Sequence, residues 1–93
     1  MIESPIEDWV CDEAEKAGWL VRKLKWIGRR SGCDRFFAKG GRVLLIEFKR
    51  PGGKPNPTQE REIARLQAAG VEVHVVDNPL AALRILEVAY APA

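Results

Sequence analysis

Three ionisable residues near the middle of the chain have the types and the spacing that metal-assisted hydrolysis requires. Asp34 opens one apolar segment, and Glu47 and Lys49 lie close to the end of the next, within GRVLLIEFKRPGG, residues 41–53. Carboxylate oxygens are the ligands that a hard cation such as Mg²⁺ prefers, and such an ion keeps several waters. It can polarise a phosphodiester and make hydroxide available near neutral pH, while a neighbouring lysine stabilises developing negative charge. The three residues therefore predict phosphodiester chemistry if the fold brings them together.

A β-hairpin would bring them together. A Gly-Gly pair separates the apolar segments 34–38 and 42–49, which favours a two-residue turn. With that turn the numbers of opposed residues sum to 81, so Asp34 is predicted to lie opposite Glu47. Lys49 projects to the same face as Glu47 because side chains alternate along a strand. Two carboxylates on residues whose Cβ atoms lie about 4.5–5.5 Å apart are destabilising unless positive charge lies between them, and a divalent cation would supply it.

A purely structural role is the alternative for these three residues. They could form a salt-bridge cluster at the strand ends, with no bound ion. Two acids for one lysine leave a negative charge unpaired, which is costly in a buried position. The predicted register therefore favours the cation over the simple cluster.

The elements that would position the site follow the order αβββαβα, which predicts an α/β fold with a mixed sheet flanked by helices. Helical spacing of apolar residues follows a capping box at Ser4-Pro5-Ile6-Glu7 and ends at Gly18. Two later helices are predicted to begin at Asn56-Pro57 and Asn78-Pro79, and the last has Leu80, Leu83 and Leu86 on one face. The predicted strands are residues 19–26, 34–38, 42–49 and 71–76.

The composition predicts one globular domain spanning residues 1–93. The chain is 46% hydrophobic and 30% charged, and at this size pairing with a second copy adds useful buried area. No apolar run approaches the roughly 20 residues of a membrane span, and residues 1–4 lack the features of a signal peptide, so we expect a cytoplasmic protein without membrane association. Cys11 and Cys33 belong to no CxxC pair and the chain has one histidine, which predicts reduced thiols and no zinc site.

Positive charge is concentrated in the middle of the chain. Eleven of the fifteen basic residues lie between Arg22 and Lys54, where Asp34 and Glu47 are the only acids. Such a block is typical of a surface that binds a polyanion, and an ordinary solvated face is the alternative. The candidates for contacts to nucleic-acid phosphates are Arg29, Arg30, Ser31, Arg35, Lys39, Arg50 and Lys54.

Several short motifs carry a family resemblance. Gly32-Cys33-Asp34 followed by Glu47-Phe48-Lys49 is similar to the D…ExK signature of the PD-(D/E)xK nuclease superfamily, whose core has the same αβββαβα order. ExK alone is a weak signal, but further segments accompany it. Almost the whole chain resembles the VRR-NUC family of small virus-type and repair nucleases, through Ser31-Gly32-Cys33-Asp34-Arg35, Gly41-Arg42-Val43, Glu47-Phe48-Lys49, Pro57-Thr58-Gln59 and Gly70-Val71-Glu72-Val73.

The resemblance implies an Mg²⁺- or Mn²⁺-dependent DNA endonuclease that acts as a homodimer on branched DNA such as Holliday junctions. It makes Asp34, Glu47 and the backbone carbonyl of Phe48 the metal ligands and Lys49 the catalytic lysine. Gln59 corresponds to the motif glutamine of the family, and an ordinary exposed residue in a first helical turn is its alternative. A DNA-binding module without catalysis and a small protein-interaction domain are the alternative functions.

An acidic residue of the first helix is also implied at the site. Glu7 is favoured by its spacing from Gly18, and Glu3 is the competing assignment. Glu7 also has a local explanation, since the third helical residue of a capping box reaches back to the amide of Ser4. Cys33 stands where the family usually has proline, which leaves the turn before Asp34 possible but its geometry open.

Overall fold

The computed structural model describes residues 5–24 and 35–89, which form three helices and four strands in the predicted order αβββαβα. The first strand is shorter than the predicted residues 19–26, since it begins at Leu20 and ends at Lys23. Residues 25–34, which include the basic loop, Cys33 and Asp34, lie outside the described part. The elements are α1 (Pro5–Lys16), β1 (Leu20–Lys23), β2 (Arg35–Lys39), β3 (Arg42–Phe48), α2 (Pro57–Ala68), β4 (Glu72–Val76) and α3 (Pro79–Ile85).

The four strands form a mixed sheet in the order β1-β2-β3-β4. β1, β2 and β3 are antiparallel neighbours, and β4 pairs with β3 in parallel. Between β2 and β3 the register runs from Lys39 opposite Arg42 to Arg35 opposite Ile46, which confirms the predicted sum of 81. Gly40 and Gly41 have φ values of 56° and 88°, a left-handed pair that a two-residue hairpin turn demands and that glycine adopts without steric cost.

Helices cover both faces of the sheet, and strand alternation decides which side chains meet which helix. Leu44 and Ile46 of β3 pack in a core that includes residues of α1 and α3, whereas Leu45 packs with Val73 and with Ile63 of α2. Because Glu47 alternates with Ile46, its side chain lies on the same face as Leu45, toward α2. Cys11 belongs to the first core as a free thiol, and burial raises its pKa to about 11.

The last helix departs in one residue from its predicted face. Leu83 and Leu86 are buried, but Leu80 is 51% exposed. At 100° per residue the stripe that faces the core runs through Pro79, Ala82, Leu83 and Leu86, and Leu80 lies beside this stripe. No helix in the described segments is long and apolar enough to cross a membrane.

A charged cluster at the hairpin end of the sheet ties β3 to β4. Arg42 Nη2 lies 2.6 Å from Glu72 Oε2 and its Nε lies 3.2 Å from Oε1, while His74 Nε2 lies 2.6 Å from Oε2. Hydrogen bonds from Arg42, and then from His74, lower the pKa of the Glu72 carboxyl from 4.5 to about 2. The cluster is therefore a source of stability near neutral pH.

This cluster predicts a specific acid sensitivity. A lowered carboxyl pKa contributes stability that is complete above the unfolded value of 4.5 and is lost as the pH falls toward about 2. Glu72→Gln should flatten the decline of the melting temperature across this range. Solvent screening keeps the corresponding change in the free energy of unfolding within about 1 kcal/mol. Thermal unfolding of both proteins from pH 7 to pH 2 measures the difference, and parallel declines would contradict the prediction.

Candidate functional site

Three residues singled out from the sequence form a closed triangle of contacts. Lys49 Nζ lies 3.0 Å from Glu47 Oε2 and donates a hydrogen bond of 2.8 Å to Gln59 Oε1. Gln59 Nε2 donates at 3.1 Å to the same Oε2 of Glu47. The carboxylate is 3% exposed and the lysine side chain is 20% exposed. A buried acid is thus joined to a lysine that reaches solvent, and an amide bridges the two.

Three different elements position this triangle. Glu47 is the penultimate residue of β3, and the main-chain N–H of Lys49 continues the sheet by donating at 2.8 Å to Val76 O of β4. Asn56 caps α2, and its side chain accepts a hydrogen bond from the main-chain N–H of Gln59. The site therefore lies at the carboxyl end of the parallel strand pair, where side chains from the strand and the next helix converge.

The favoured first-helix acid lies close to this strand end. Glu7 and Lys49 both line a cleft of about 190 Å³, together with Phe48 and Asp77. The Glu7 carboxylate is mostly buried and is bound by Arg35 Nε at 2.6 Å. Glu7 approaches from the α1 side of the sheet, whereas Glu47 projects toward α2. Glu3, and the Ser4 amide that a capping box would use, lie outside the described residues, so the choice of Glu7 over Glu3 stays a prediction.

Several cations of the basic block are engaged within the protein. Arg35 is 11% exposed and contacts both Glu7 and Asp8, so it is poorly placed for the predicted phosphate contact. Lys39 donates to Ala17 O at 2.6 Å and lies at the hairpin end of the sheet, roughly 17 Å along β3 from Glu47 at about 3.3 Å per residue. Charge density alone had made both residues candidates. The folded chain gives Arg35 and Lys39 contacts within the protein, and their contacts to phosphate stay predictions.

The remaining phosphate-contact candidates divide into two groups. Arg50 and Lys54 are exposed in the loop that follows the ExK strand, and Arg50 also lines the cleft beside Lys49. Arg29, Arg30 and Ser31 lie outside the described residues. Arg50 and Lys54 are therefore the candidates that the described structure leaves exposed after the ExK strand.

The donor chemistry of the site fits a hard divalent cation. Glu47 and Glu7 supply carboxylate oxygens near the end of β3, and oxygen is the donor type that Mg²⁺ and Mn²⁺ share. Asp34, predicted opposite Glu47, lies outside residues 5–24 and 35–89, and within those residues no three His, Cys, Asp or Glu side chains form a group that could hold a metal. The prediction that Asp34 supplies a third carboxylate therefore depends on the register between β2 and β3. The five described residue pairs of this hairpin follow that register.

The sequence did not lead us to predict that Asn56 contacts the candidate site. Its main-chain N–H donates at 3.0 Å to Gln59 Oε1, so that the capping box of α2 and the candidate site share one amide. The spacing Asn-x-x-Gln at the start of a helix is the signal that could have found it, because an N-cap residue and a residue three positions later cap each other.

An ExK strand in a mixed sheet, with a glutamine presented by the following helix, defines a PD-(D/E)xK-like nuclease fold. A solved structure described as a VRR_NUC domain superposes with a TM-score of 0.80 at 30% sequence identity, over 91% of this chain and 94% of that chain. "Putative nuclease p44" of Acyrthosiphon pisum secondary endosymbiont phage 1 is 42% identical over 77 residues, which cover 82% of this chain and 83% of that protein. No family model matches the chain. The chain belongs to the VRR-NUC family of nucleases.

Proposed function

We propose that this protein is an Mg²⁺- or Mn²⁺-dependent DNA endonuclease that hydrolyses phosphodiester bonds in branched DNA such as Holliday junctions. The observation that carries the proposal is the triangle of Glu47, Lys49 and Gln59 at the carboxyl end of β3. Membership of a nuclease family supports the class of reaction, and the contacts within the triangle support the proposal that these three residues take part in it.

The triangle is better suited to catalysis than to stability. A carboxylate that is 3% exposed loses most of its hydration, and burying an ion pair contributes little net stability compared with apolar residues of the same volume. The lysine, however, remains partly exposed beside a cleft, where it can contact a bound phosphate. There its ammonium would stabilise the charge that develops on the phosphate oxygens, and Gln59 would hold it in place.

The residues proposed to hold the cation are Asp34, Glu47 and the backbone carbonyl of Phe48, with Glu7 as a further contact. When bound, the cation would supply Lewis-acid polarisation of the phosphodiester and a lowered pKa of water. Glu7 is oriented by its contact with Arg35, whose Nε donates to its carboxylate at 2.6 Å. Arg35 would thus serve the site by fixing Glu7 rather than by binding DNA.

Exposed cations beside the site would bind the DNA backbone. Arg50 and Lys54 follow the ExK strand directly, and phosphate contacts of this kind position DNA without reading its sequence.

Selectivity for a branched shape would then depend on how two copies present their sites, so the proposed enzyme is a homodimer. Exposed Leu20 and Val43 lie on either side of Ala38 in one cross-strand row, which offers apolar area to a second copy.

A cleavage panel tests the proposed function. A four-way junction, a flap and a linear duplex are incubated with the wild-type protein in Mg²⁺, in Mn²⁺ and in chelator, and light scattering of the same preparation reports its oligomeric state. We expect cutting of the branched substrates that requires the cation and leaves 5′-phosphate ends. Salt-sensitive DNA binding without cutting would instead support a non-catalytic binding module, and cutting in chelator would contradict the cation requirement.

The turn after the ExK strand gives a prediction about the position of Lys49. A Cβ atom at Gly53 would lie 2.9 Å from the main-chain oxygen of Arg50 and 3.4 Å from Lys49 Cβ, so Gly53→Ala must displace this segment. We expect cleavage to fall by roughly tenfold or more, because small misplacements of catalytic groups are costly. Steady-state cleavage of the preferred branched substrate measures the loss.

Gly52→Ala is the matched control in the same turn. Gly52 has φ of 78°, so alanine there is strained, but nothing lies within 4 Å of the added Cβ. It should lower the melting temperature with a smaller effect on cleavage. Equal cleavage by Gly53→Ala and wild type would show that Lys49 does not depend on this close approach.

A further inference from the structure

We propose that the main-chain N–H of Asn56 is a positioning group for the reaction, because it sets the orientation of the Gln59 amide that holds Lys49 and contacts Glu47. The inference rests on the proposed function and adds a residue to it. It makes the capping box of α2 a part of the site as well as the start of a helix.

The orientation of the Gln59 amide follows from the donors around it. Gln59 Oε1 accepts from the Asn56 N–H at 3.0 Å and from Lys49 Nζ at 2.8 Å. Both groups are donors only, so the oxygen must face them and the NH₂ group must face the Glu47 carboxylate, 3.1 Å away. The reversed amide would place its two hydrogens against a peptide N–H and an ammonium.

Two donors share the task of holding this orientation, and they differ in mobility. Lys49 reaches Gln59 through a flexible four-carbon chain, whereas the Asn56 N–H belongs to the backbone of a capped helix. The cap is reciprocal, since Asn56 Oδ1 accepts from the Gln59 N–H at 2.9 Å, and Pro57 follows it at the first helical position. The backbone donor therefore fixes the position of Gln59 Oε1, and the hydrogen bond to this oxygen then sets the position of Lys49 Nζ.

Loss of the Asn56 N–H would leave the amide oriented only by groups of the site itself. The amide would then turn more readily, and each reversal would set its NH₂ against Lys49 and its oxygen against the Glu47 carboxylate. Lys49 would spend less time at the position from which it contacts the phosphate. The expected consequence is a lower kcat with little change in KM, because the contacts proposed to bind DNA, at Arg50 and Lys54, are untouched.

A pair of substitutions at one position isolates the N–H. Asn56→Ala removes the capping oxygen and keeps the N–H, whereas Asn56→Pro removes both. Asn56 has φ of −75°, which a proline ring adopts without strain. Asn56→Ala is therefore the matched control for the loss of the cap. We expect kcat of Asn56→Pro to be roughly tenfold or more below that of Asn56→Ala, since a displaced catalytic group is costly.

A double-mutant cycle separates positioning from a general loss of structure. In a Gln59→Ala background there is no amide to orient, so Asn56→Pro and Asn56→Ala should have the same kcat. Equal kcat of the two variants in the presence of Gln59, or the same gap in its absence, would overturn the inference.

NMR provides a readout that does not require cleavage. The side-chain NH₂ signals of Gln59 are assigned by their absence from Gln59→Ala. Their hydrogen exchange should be slow in the wild type and in Asn56→Ala, and faster in Asn56→Pro. If the wild type cut no substrate, the proposed function would fail, but this comparison would still decide the orientation of the amide. Equal hydrogen exchange in Asn56→Ala and Asn56→Pro would overturn the inference about the Asn56 N–H.

Discussion

Replacing Glu47 by glutamine is expected to abolish DNA cleavage in Mg²⁺ and in Mn²⁺, with kcat lowered by at least about 10³-fold. Glutamine has the same shape, so it can fill the same buried position between β3 and α2. It removes the negative charge that the proposed cation needs and that now faces Lys49 Nζ at 3.0 Å. The loss therefore comes from charge and not from a cavity. Cleavage of a four-way junction measures kcat, and binding to the same junction in chelator should be kept.

Glu62→Gln is the matched control for this substitution. Glu62 is also a buried glutamate and lies on α2, where it forms an ion pair with Arg65 at 3.7 Å, outside the triangle that contains Glu47. The same chemical change there should leave cleavage within a factor of about two, as is usual for substitutions outside a functional site. Substantial cleavage by a folded Glu47→Gln protein would remove Glu47 from the site.

The sequence was sufficient to predict the hairpin and the place of the ExK strand. A Gly-Gly pair between two apolar segments fixes the turn, the turn fixes the register, and strand alternation then puts Glu47 and Lys49 on one face. These are local relations, in which each residue is determined by close neighbours along the chain. The predicted register and element order are confirmed for this reason.

The contacts that the basic residues form within the protein were not predictable in the same way. Arg35 is bound by Glu7, 28 residues away, and Arg42 by Glu72, 30 residues away. Pairs that distant form only when the elements pack together, so the charge count could not separate cations used inside the fold from those left for a partner. Among the predicted phosphate contacts in the described residues, Arg50 and Lys54 are exposed in the loop that follows the ExK strand.

Glu7 shows how one residue can satisfy two interpretations. As an early residue of α1 it fits a capping box, and its place in the cleft beside Lys49 fits the acid implied by the family resemblance. The contact with Arg35 adds a third relation, because it anchors the carboxylate to β2. The sequence left Glu7 and Glu3 as competitors, since nothing local to α1 specifies which acid the sheet edge will contact.

Lys49→Met is expected to separate cation binding from catalysis. Cleavage should fall by roughly 10²-fold or more, because the ammonium that would stabilise the phosphate charge is gone. Binding of Mn²⁺ should become tighter at the same time. The lysine now occupies Glu47 Oε2 at 3.0 Å, and its charge opposes any cation that approaches this carboxylate. Methionine keeps the length and the apolar character of the lysine stem, so the change is largely one of charge.

The size of the gain follows from Coulomb's law. Single and double positive charges about 4 Å apart in a solvent-like dielectric repel by about 2 kcal/mol, and removing that repulsion strengthens binding by roughly thirtyfold. Mn²⁺ titration followed by electron paramagnetic resonance measures the affinity without requiring turnover. Weaker Mn²⁺ binding by Lys49→Met would mean that the lysine organises the carboxylates for the cation and does not compete with it. Unchanged binding would place the cation away from Glu47 and would contradict the proposed ligand set.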